Sequence, residues 1–236
     1  HRDLHSFPTR RSSDLVLLWI LDFFSGSVII PVHAVFKALF QPESAVDTIR
    51  TIIIDYRLPK SIVAVFAGLA LSVSGLQMQT VFRNPLAGPY VLGISAGASL
   101  AVAIFALGFS SMLTGGVSIA GTWSLALVAW AGSFLAMLLV VAVSARVNDN
   151  MTILILGLLF SGAAGAIVTV LQYFSNESML KAFIVWTMGS LGSITGDQLS
   201  VVIPAILAGC LLALLTMKDL NAFRSEEHTS ELQSSQ

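Results

Sequence analysis

The segment "VFRNPLAGPYVLGISAGASLA", residues 81–101, places an Arg, an Asn and two prolines between two long apolar runs. Proline cannot continue a helix, because it lacks a backbone N–H and its ring clashes with the preceding turn. Asn84 can bond exposed backbone groups at such a turn. Beyond the prolines, Gly93 and Gly97 lie four residues apart, a pattern that lets helices pack closely. The segment therefore predicts a helix, a corner and a second, closely packed helix.

The composition indicates that lipid surrounds most of this chain. Of its 236 residues, 56% are hydrophobic and only 11% are charged, whereas soluble domains carry about a quarter charged residues. Between Ser61 and Ser175 the only charged side chains are Arg83, Arg146 and Asp149. Backbone groups in lipid are satisfied only in helices or closed barrels, and the apolar runs do not alternate with period two. The sequence predicts an all-α, polytopic transmembrane bundle.

The apolar runs predict about six spans, the first of them incomplete. Residues 16–30 fall short of the roughly 20 residues that a spanning helix needs, so they are either a helix without its start or a signal-peptide core. Residues 31–60 are mixed and read as an extramembrane connection, helical around 35–40. Residues 179–190 are too short to span and fit an interfacial or oblique segment. The five full spans are predicted at 61–82, 90–109, 123–145, 151–174 and 199–217.

Several kinds of chemistry are excluded by the residues present. The net charge of −1 and the lack of a basic stripe argue against nucleic-acid binding. Cys210 is the only cysteine, and no Cys/His spacing indicates a metal site. His33 lacks a carboxylate partner, and Asp197 is expected to cap the helix that starts near 199. No phosphate-binding loop occurs, so this chain should not hydrolyse ATP itself. We expect no catalytic residue, metal or cofactor.

The sequence says less about ion coupling and about the orientation of the chain in the membrane. No acidic residue lies in the middle of a predicted span, which counts against a proton-driven carrier. Sodium-coupled sites can use carbonyls and hydroxyls, so this class stays open. The positive charges on the two sides of the membrane are nearly balanced and do not decide the orientation.

The two ends differ from the rest of the chain. Residues 5–15 read "HSFPTRRSSDL" and residues 224–234 read "RSEEHTSELQS"; both segments are polar and charged and differ sharply from the apolar chain between them. Both correspond to translations of common sequencing adapters. We therefore expect residues 1–15 and 224–236 to be adapter-derived and residues 16–223 to be the transmembrane domain.

The segment 56–102, "YRLPKSIVAVFAGLALSVSGLQMQTVFRNPLAGPYVLGISAGASLAV", closely resembles the FecCD-type permease family. The family pattern is an R-L-P-R entry, a helix rich in small residues ending near a Gln, and N-P-L-A-x-P-x-x-L-G-[IV]-S-x-G-A. Downstream, "VWTMGSLGSITGDQL" at 185–199 is similar to the family's W-x-M-G-S-[LF] segment. The resemblance covers nearly everything between the two unusual ends, and it implies that residues 16–223 are a partial transmembrane permease domain.

The resemblance implies a fold and a set of partners. Family members are all-helical permeases of the type II ABC importer kind, with about ten spans per subunit, of which this chain supplies about six. They import iron-siderophore complexes, haem or cobalamin across the bacterial inner membrane by alternating access. The implied partners are a second permease subunit, in a homodimer as the simplest case, together with cytoplasmic ATPase subunits, a periplasmic or lipid-anchored substrate-binding protein and membrane lipid.

The resemblance also implies roles for individual residues. Arg57 and Lys60 match the two basic positions of R-L-P-R, which in the family face the extracytoplasmic side and pair with acidic residues of the binding protein. Lys60 departs from the usual Arg and lacks its bidentate fork. Interfacial snorkelling is the competing explanation for both side chains. The corner and packing signature corresponds to Gln79, Asn84, Pro85, Pro89, Gly93, Ser95 and Gly97.

Three functions remain distinct hypotheses at this point. The first is the ABC importer permease; the second is an ion-coupled secondary transporter or channel subunit; the third is a membrane scaffold. The corner signature identifies the family, but small-residue patterns usually mark helix packing rather than substrate contact. Siderophore, haem and cobalamin permeases share these motifs, so the sequence does not name the cargo.

Overall fold

The structure, a computed structural model, describes residues 7–26, 28–109, 121–147, 149–192 and 194–217. Every regular element in these ranges is helical, which confirms the all-α prediction. The helices are α1 (Phe7–Phe24), α2 (Val32–Phe40), α3 (Asp47–Thr51), α4 (Leu58–Phe82), α5 (Ile94–Ala103), α6 (Gly121–Ser144), α7 (Asn150–Phe174), α8 (Glu177–Met188) and α9 (Gly196–Leu215). A 3₁₀ turn covers Pro42–Ser44, and π-helical turns cover Ile52–Arg57 and Ile104–Phe109.

Four helices in the described part of the chain are long and apolar enough to cross a membrane. They are Asp47–Phe82, Trp123–Ser144, Met151–Phe174 and Gly196–Leu215, with mean hydropathy between 1.8 and 2.4. Their lengths match the roughly 20 residues that the hydrocarbon core requires. They correspond to four of the six predicted spans, and the multi-pass prediction is confirmed.

The other two predicted spans differ from the structure at their ends. The predicted span 90–109 is helical only from Ile94, because Tyr90 to Gly93 form a turn, and the apolar helix Ile94–Gly108 is correspondingly short. The first helix runs over Phe7–Phe24, so it begins before the predicted start at residue 16 and ends before the predicted limit at residue 30. In both places, turn-forming residues interrupt a run that hydropathy alone reads as continuous.

The connection predicted over 31–60, with helix around 35–40, contains more helix in its second half than expected. Helix α3 and the π-helical turn Ile52–Arg57 continue directly into α4. The stretch from Asp47 to Leu58 contains neither Gly nor Pro, so nothing in it breaks a helix. Burial also favours the helix, because Ile53 is fully buried in the core beside α2.

The chain forms two compact units. The first comprises His1–Ala70 and Ser190–Leu215. Its core joins the end of α1 to α2 and to the π-helical turn before α4. The indole Nε1 of Trp19 donates to the carbonyl oxygen of Ser61 at 3.2 Å, which holds α1 beside the start of α4. The buried core residues are Phe23, Ile30, Val35, Ala38 and Ile53.

The second unit comprises Leu71–Gly189 and Thr216–Gln236. Helix α5 packs against α6 and α7 in this unit. One core cluster lies at the far end of α5 and includes Val102, Leu107 and Phe183. A second cluster of Leu92, Val140 and Ile153 lies under the turn that precedes α5.

Local side chains set the starts of the later helices. Asp149 caps α7 by accepting from the backbone N–H groups of Met151 (3.2 Å) and Thr152 (3.0 Å). The hydrogen bond from the Thr152 hydroxyl, together with those two backbone donors, lowers the pKa of the Asp149 carboxyl. A lowered pKa means that this cap stabilises the fold above the unfolded-state pKa and weakens as the pH falls through the folded-state value.

The prediction that Asp197 caps the last helix is wrong. Helix α9 begins at Gly196, so Asp197 lies inside its first turn. The capping role belongs to Thr195, whose carbonyl accepts from the N–H groups of Gln198 (3.1 Å) and Leu199 (3.2 Å). The Gln198 side chain reaches back to the Thr195 N–H at 3.1 Å, which is the back-bonding half of a capping box.

Candidate functional site

The first group of predicted site residues lies where α1 ends and α4 begins. Arg57 is the last residue of the π-helical turn, and its guanidinium points back at the end of α1. Its Nη1 donates to the carbonyl oxygens of Phe23 (3.0 Å) and Phe24 (3.2 Å). Its Nη2 donates to the carbonyl oxygen of Val28 at 2.6 Å. Arg57 therefore binds three backbone carbonyls of its own chain.

This contact has a clear physical cause. The last four carbonyl oxygens of a helix have no partner within the helix, and the helix C-terminus carries partial negative charge. The planar guanidinium of Arg57 offers several fixed donors to these oxygens. A Cβ at Gly26 would lie 2.7 Å from Nη2, so a glycine leaves the space that the guanidinium occupies. Arg57 thus caps α1 and joins it to α4.

Lys60 lies one helical turn beyond Arg57 and makes a looser contact. Its Nζ lies 3.4 Å from Oδ1 of Asp22, and the two side chains are 44% and 50% exposed. An exposed pair of this kind contributes little to stability. Arg57 and Lys60 line one open cavity of about 350 Å³. The other lining residues are Asp22, Phe23, Ser25, Gly26, Val28, Ile52 and Tyr56.

The second group of predicted site residues forms the corner after α4. Arg83 has φ 49°, a left-handed conformation that ends the helix. The Asn84 Oδ1 accepts from the Leu86 N–H at 2.9 Å, and the Asn84 N–H donates to the Gln79 carbonyl at 3.2 Å. The Gln79 Nε2 donates to the Pro85 carbonyl at 3.1 Å. Gln79, Asn84 and Pro85 are thus brought together, and they satisfy the backbone of the corner.

The rest of the corner leads into α5. Pro89 is half-buried, and two further turns follow it, closed by the N–H groups of Val91 and Gly93. Gly93 has φ 75° and precedes the first residue of α5. That left-handed conformation is accessible to glycine at low cost. Ser95 is exposed in the first turn of the helix.

Glycines bring α5 into backbone contact with its two neighbours. A Cβ at Gly97 would lie 2.5 Å from the Ala136 Cβ and 2.7 Å from the Gly132 carbonyl oxygen on α6. A Cβ at Gly157 on α7 would lie 2.5 Å from the Val91 carbonyl oxygen. A side chain at Gly97 would force α5 and α6 apart, and one at Gly157 would push the turn before α5 away from α7. The corner and α5 are therefore held in place by close packing.

Sequence reasoning missed the partner glycine on α6. Gly132 and Ala136 lie four residues apart in an apolar run, which is the small-residue pattern of a helix contact. Gly157 belongs to a run with Gly162 and Gly165, but a Cβ added at either of these two would meet no atom within 4 Å among the described residues. The way the helices cross decides which glycines touch a neighbouring element and which do not, and the sequence does not show this crossing.

The two groups of predicted site residues, at the start of α4 and at the corner after it, provide hydrogen bonds and charge. In the ranges that the structure describes, no three His, Cys, Asp or Glu side chains come together as metal ligands would. The corner presents backbone and amide groups already bonded to each other. The open cavity presents a positive charge, Lys60, at the start of a spanning helix. Such a site can bind an acidic partner surface by charge complementarity.

Comparison with known proteins gives a family match over most of the chain. The model of the FecCD transport family matches residues 15–232. The hemin transport system permease protein HmuU of Yersinia pestis is 38% identical over 177 residues, covering 74% of this chain and 52% of the relative. The vitamin B12 import system permease protein BtuC of Vibrio parahaemolyticus is 32% identical over 190 residues, covering 80% of this chain and 55% of the relative. This chain spans about half the length of these relatives.

The fold also matches a solved structure. A metal-chelate type ABC transporter, solved in an inward-facing conformation, aligns with a TM-score of 0.71 at 23% identity. The alignment covers 94% of this chain and 66% of that chain. The all-helical fold of this chain is therefore shared with that transporter, as the sequence predicts.

Replacing Arg57 by Met should destabilise the first unit. Three carbonyl oxygens would lose their donor, and a hydrogen bond to a charged group contributes about 1.5–3 kcal/mol when it is well formed. We expect R57M to lower the free energy of unfolding by about 2 kcal/mol or more, measured by thermal melting in detergent. The matched control is R50M, on α3. Equal melting temperatures for the two variants would contradict the capping role.

Adding one methyl group at Gly97 should have the opposite effect from adding it at Gly165. Gly97→Ala overpacks the contact with α6, at a cost of about 1–3 kcal/mol. Gly165 faces open space, where Ala favours the helix by up to about 1 kcal/mol. Chemical denaturation of the two variants side by side measures the difference. A Gly97→Ala variant as stable as Gly165→Ala would show that α5 and α6 are not in backbone contact.

Proposed function

Because the chain belongs to the FecCD transport family, we propose that it is part of the permease subunit of a binding-protein-dependent ABC importer. The cargo class is an iron complex, such as a siderophore or haem, or cobalamin, moved by alternating access across the bacterial inner membrane. The family match over residues 15–232 is the observation that carries this proposal. The bundle architecture shared with a transporter of the metal-chelate type supports it.

The breadth of the proposed cargo class follows from the relatives. One relative is named for hemin and another for vitamin B12, and their identities to this chain are 38% and 32%. Both cargoes are large metal–macrocycle complexes, and a siderophore complex is likewise a bulky chelate. A pathway for such cargo is lined by small and apolar groups rather than by a dedicated charge pair. We therefore propose the class and not one member of it.

The proposed partners follow from the same assignment. ATP hydrolysis is assigned to separate cytoplasmic subunits, since the sequence contains no phosphate-binding loop. A second permease subunit, most simply another copy of the same protein, would complete the pathway. A periplasmic or lipid-anchored binding protein would deliver the cargo.

Within this assignment, we propose a division of roles between the two basic residues. Arg57 is committed to the carbonyls at the end of α1. Lys60 is 44% exposed beside it. We propose that Lys60 makes the ion pair with an acidic residue of the binding protein, while Arg57 holds the docking surface in shape. Lys60 would leave its weak contact with Asp22 and pair with the acidic residue of the binding protein at little cost in free energy.

Deleting the gene for this chain tests the importer assignment. We expect loss of ATP-dependent uptake of one of three labelled cargoes: ferric siderophore, haemin or cobalamin. Uptake should return with the wild-type gene on a plasmid and should survive a protonophore as long as ATP is maintained. Unchanged uptake of all three cargoes would contradict the proposal. Uptake that survives ATP depletion and collapses with the ion gradient would instead support the ion-coupled transporter.

Charge reversal at Lys60 tests the docking role separately. We expect K60E to weaken binding of the purified binding protein by about three- to tenfold, because an exposed ion pair contributes on the order of 1 kcal/mol, and K60R to restore it. The matched control is K181E, at an exposed Lys on α8 that the predicted spans place on the same side of the membrane. Equal effects of K60E and K181E on the affinity would exclude a specific role for Lys60.

A further inference from the structure

The short helix α2 exposes three large apolar side chains on one face. Val32, Phe36 and Phe40 follow each other at intervals of four residues, so they share a face of the helix. They are 56%, 51% and 77% exposed, and the rings of Phe36 and Phe40 stack at 6.2 Å. The opposite face packs against the protein, because Val35 and Ala38 are buried in the core of the first unit. Helix α2 is thus fixed to the protein by one apolar face and leaves a second apolar face open.

Ring contacts place this open face beside the end of α1. Phe36 lies 6.3 Å from Phe24, measured between ring centroids. The carbonyl oxygen of Phe24 accepts from Arg57, the residue immediately before α4. The ion pair of Lys60 with Asp22 lies at the same end of α4. The open face therefore lies next to the charged residues at the start of α4.

Polar residues border one side of the open face. His33 and Lys37 are exposed, and each follows an apolar residue of the face by one position, or about 100° around the helix. A lysine beside an apolar face can extend its ammonium group to lipid phosphates while its stem stays in the apolar layer. Interfacial helices combine an apolar face of this kind with cationic residues at its border.

We propose that α2 is an interfacial anchor that lies along the membrane surface. Val32, Phe36 and Phe40 enter the boundary between headgroups and acyl chains, and Lys37 contacts lipid phosphate. Burying this face removes from water apolar area that the folded chain leaves exposed, which is favourable because apolar surface is driven out of water. Because α2 shares a core with the end of α1 and the start of α4, the anchor also fixes the depth of the Arg57 and Lys60 cavity.

Site-directed spin labelling in lipid nanodiscs tests this inference. Labels are placed at F36C and F40C after Cys210→Ala removes the native thiol, and each label's collisions with oxygen and with a water-soluble nickel chelate are measured. We expect oxygen collisions to exceed nickel collisions at both positions. Glu43, in the turn after α2, is the matched control, and E43C should show the reverse order. Both labels lie on exposed positions, so folding is preserved.

Three outcomes would overturn the anchor. Nickel collisions that dominate at both positions would place the face in water. Low collision rates with both reagents would show that protein covers it. Nickel collisions that dominate until the substrate-binding protein is added, and then fall, would make the face a protein docking surface instead.

Discussion

The first N–H groups and the last carbonyl groups of a helix have no partner within the helix, and the side chains that supply those partners organise the structure. Arg57 supplies donors to the carbonyls that end α1. Asn84 closes the corner between α4 and α5 through its side-chain oxygen. Asp149 and Asn176 do the same for the first N–H groups of α7 and α8. The polar residues of this apolar chain are therefore concentrated where the helices begin and end.

The same constraint changes the interpretation of the basic pair before α4. Family resemblance predicts that both residues contact a binding protein. In the structure, the guanidinium of Arg57 faces its own chain, whereas Lys60 contacts the exposed carboxylate of Asp22. An arginine suits the first role, since its fork can donate to several carbonyls at once. A lysine is sufficient for the second, where a single exposed charge meets another.

Hydropathy predicted the four long spans well, because each is a continuous apolar run bounded by polar residues. The turn made by Asn84 was also predictable, since its contacts lie within five residues along the chain. The capping of α1 by Arg57 was not, because donor and acceptors are about thirty residues apart in sequence. The contact of Gly97 with Gly132 likewise depends on how two helices cross. A single sequence shows which residues are small, but not which of them meet.

Arg57 is thus an internal cap of α1, and we propose that Lys60 is the charge left to bind a partner. A cryo-EM map of the transporter in a lipid nanodisc, with its binding protein bound, distinguishes these two roles. We expect density from the Arg57 guanidinium to the carbonyls of Phe23, Phe24 and Val28, with an acidic residue of the binding protein at Lys60. An Arg57 side chain turned outward onto the binding protein, leaving those carbonyls without it, would overturn this division of roles.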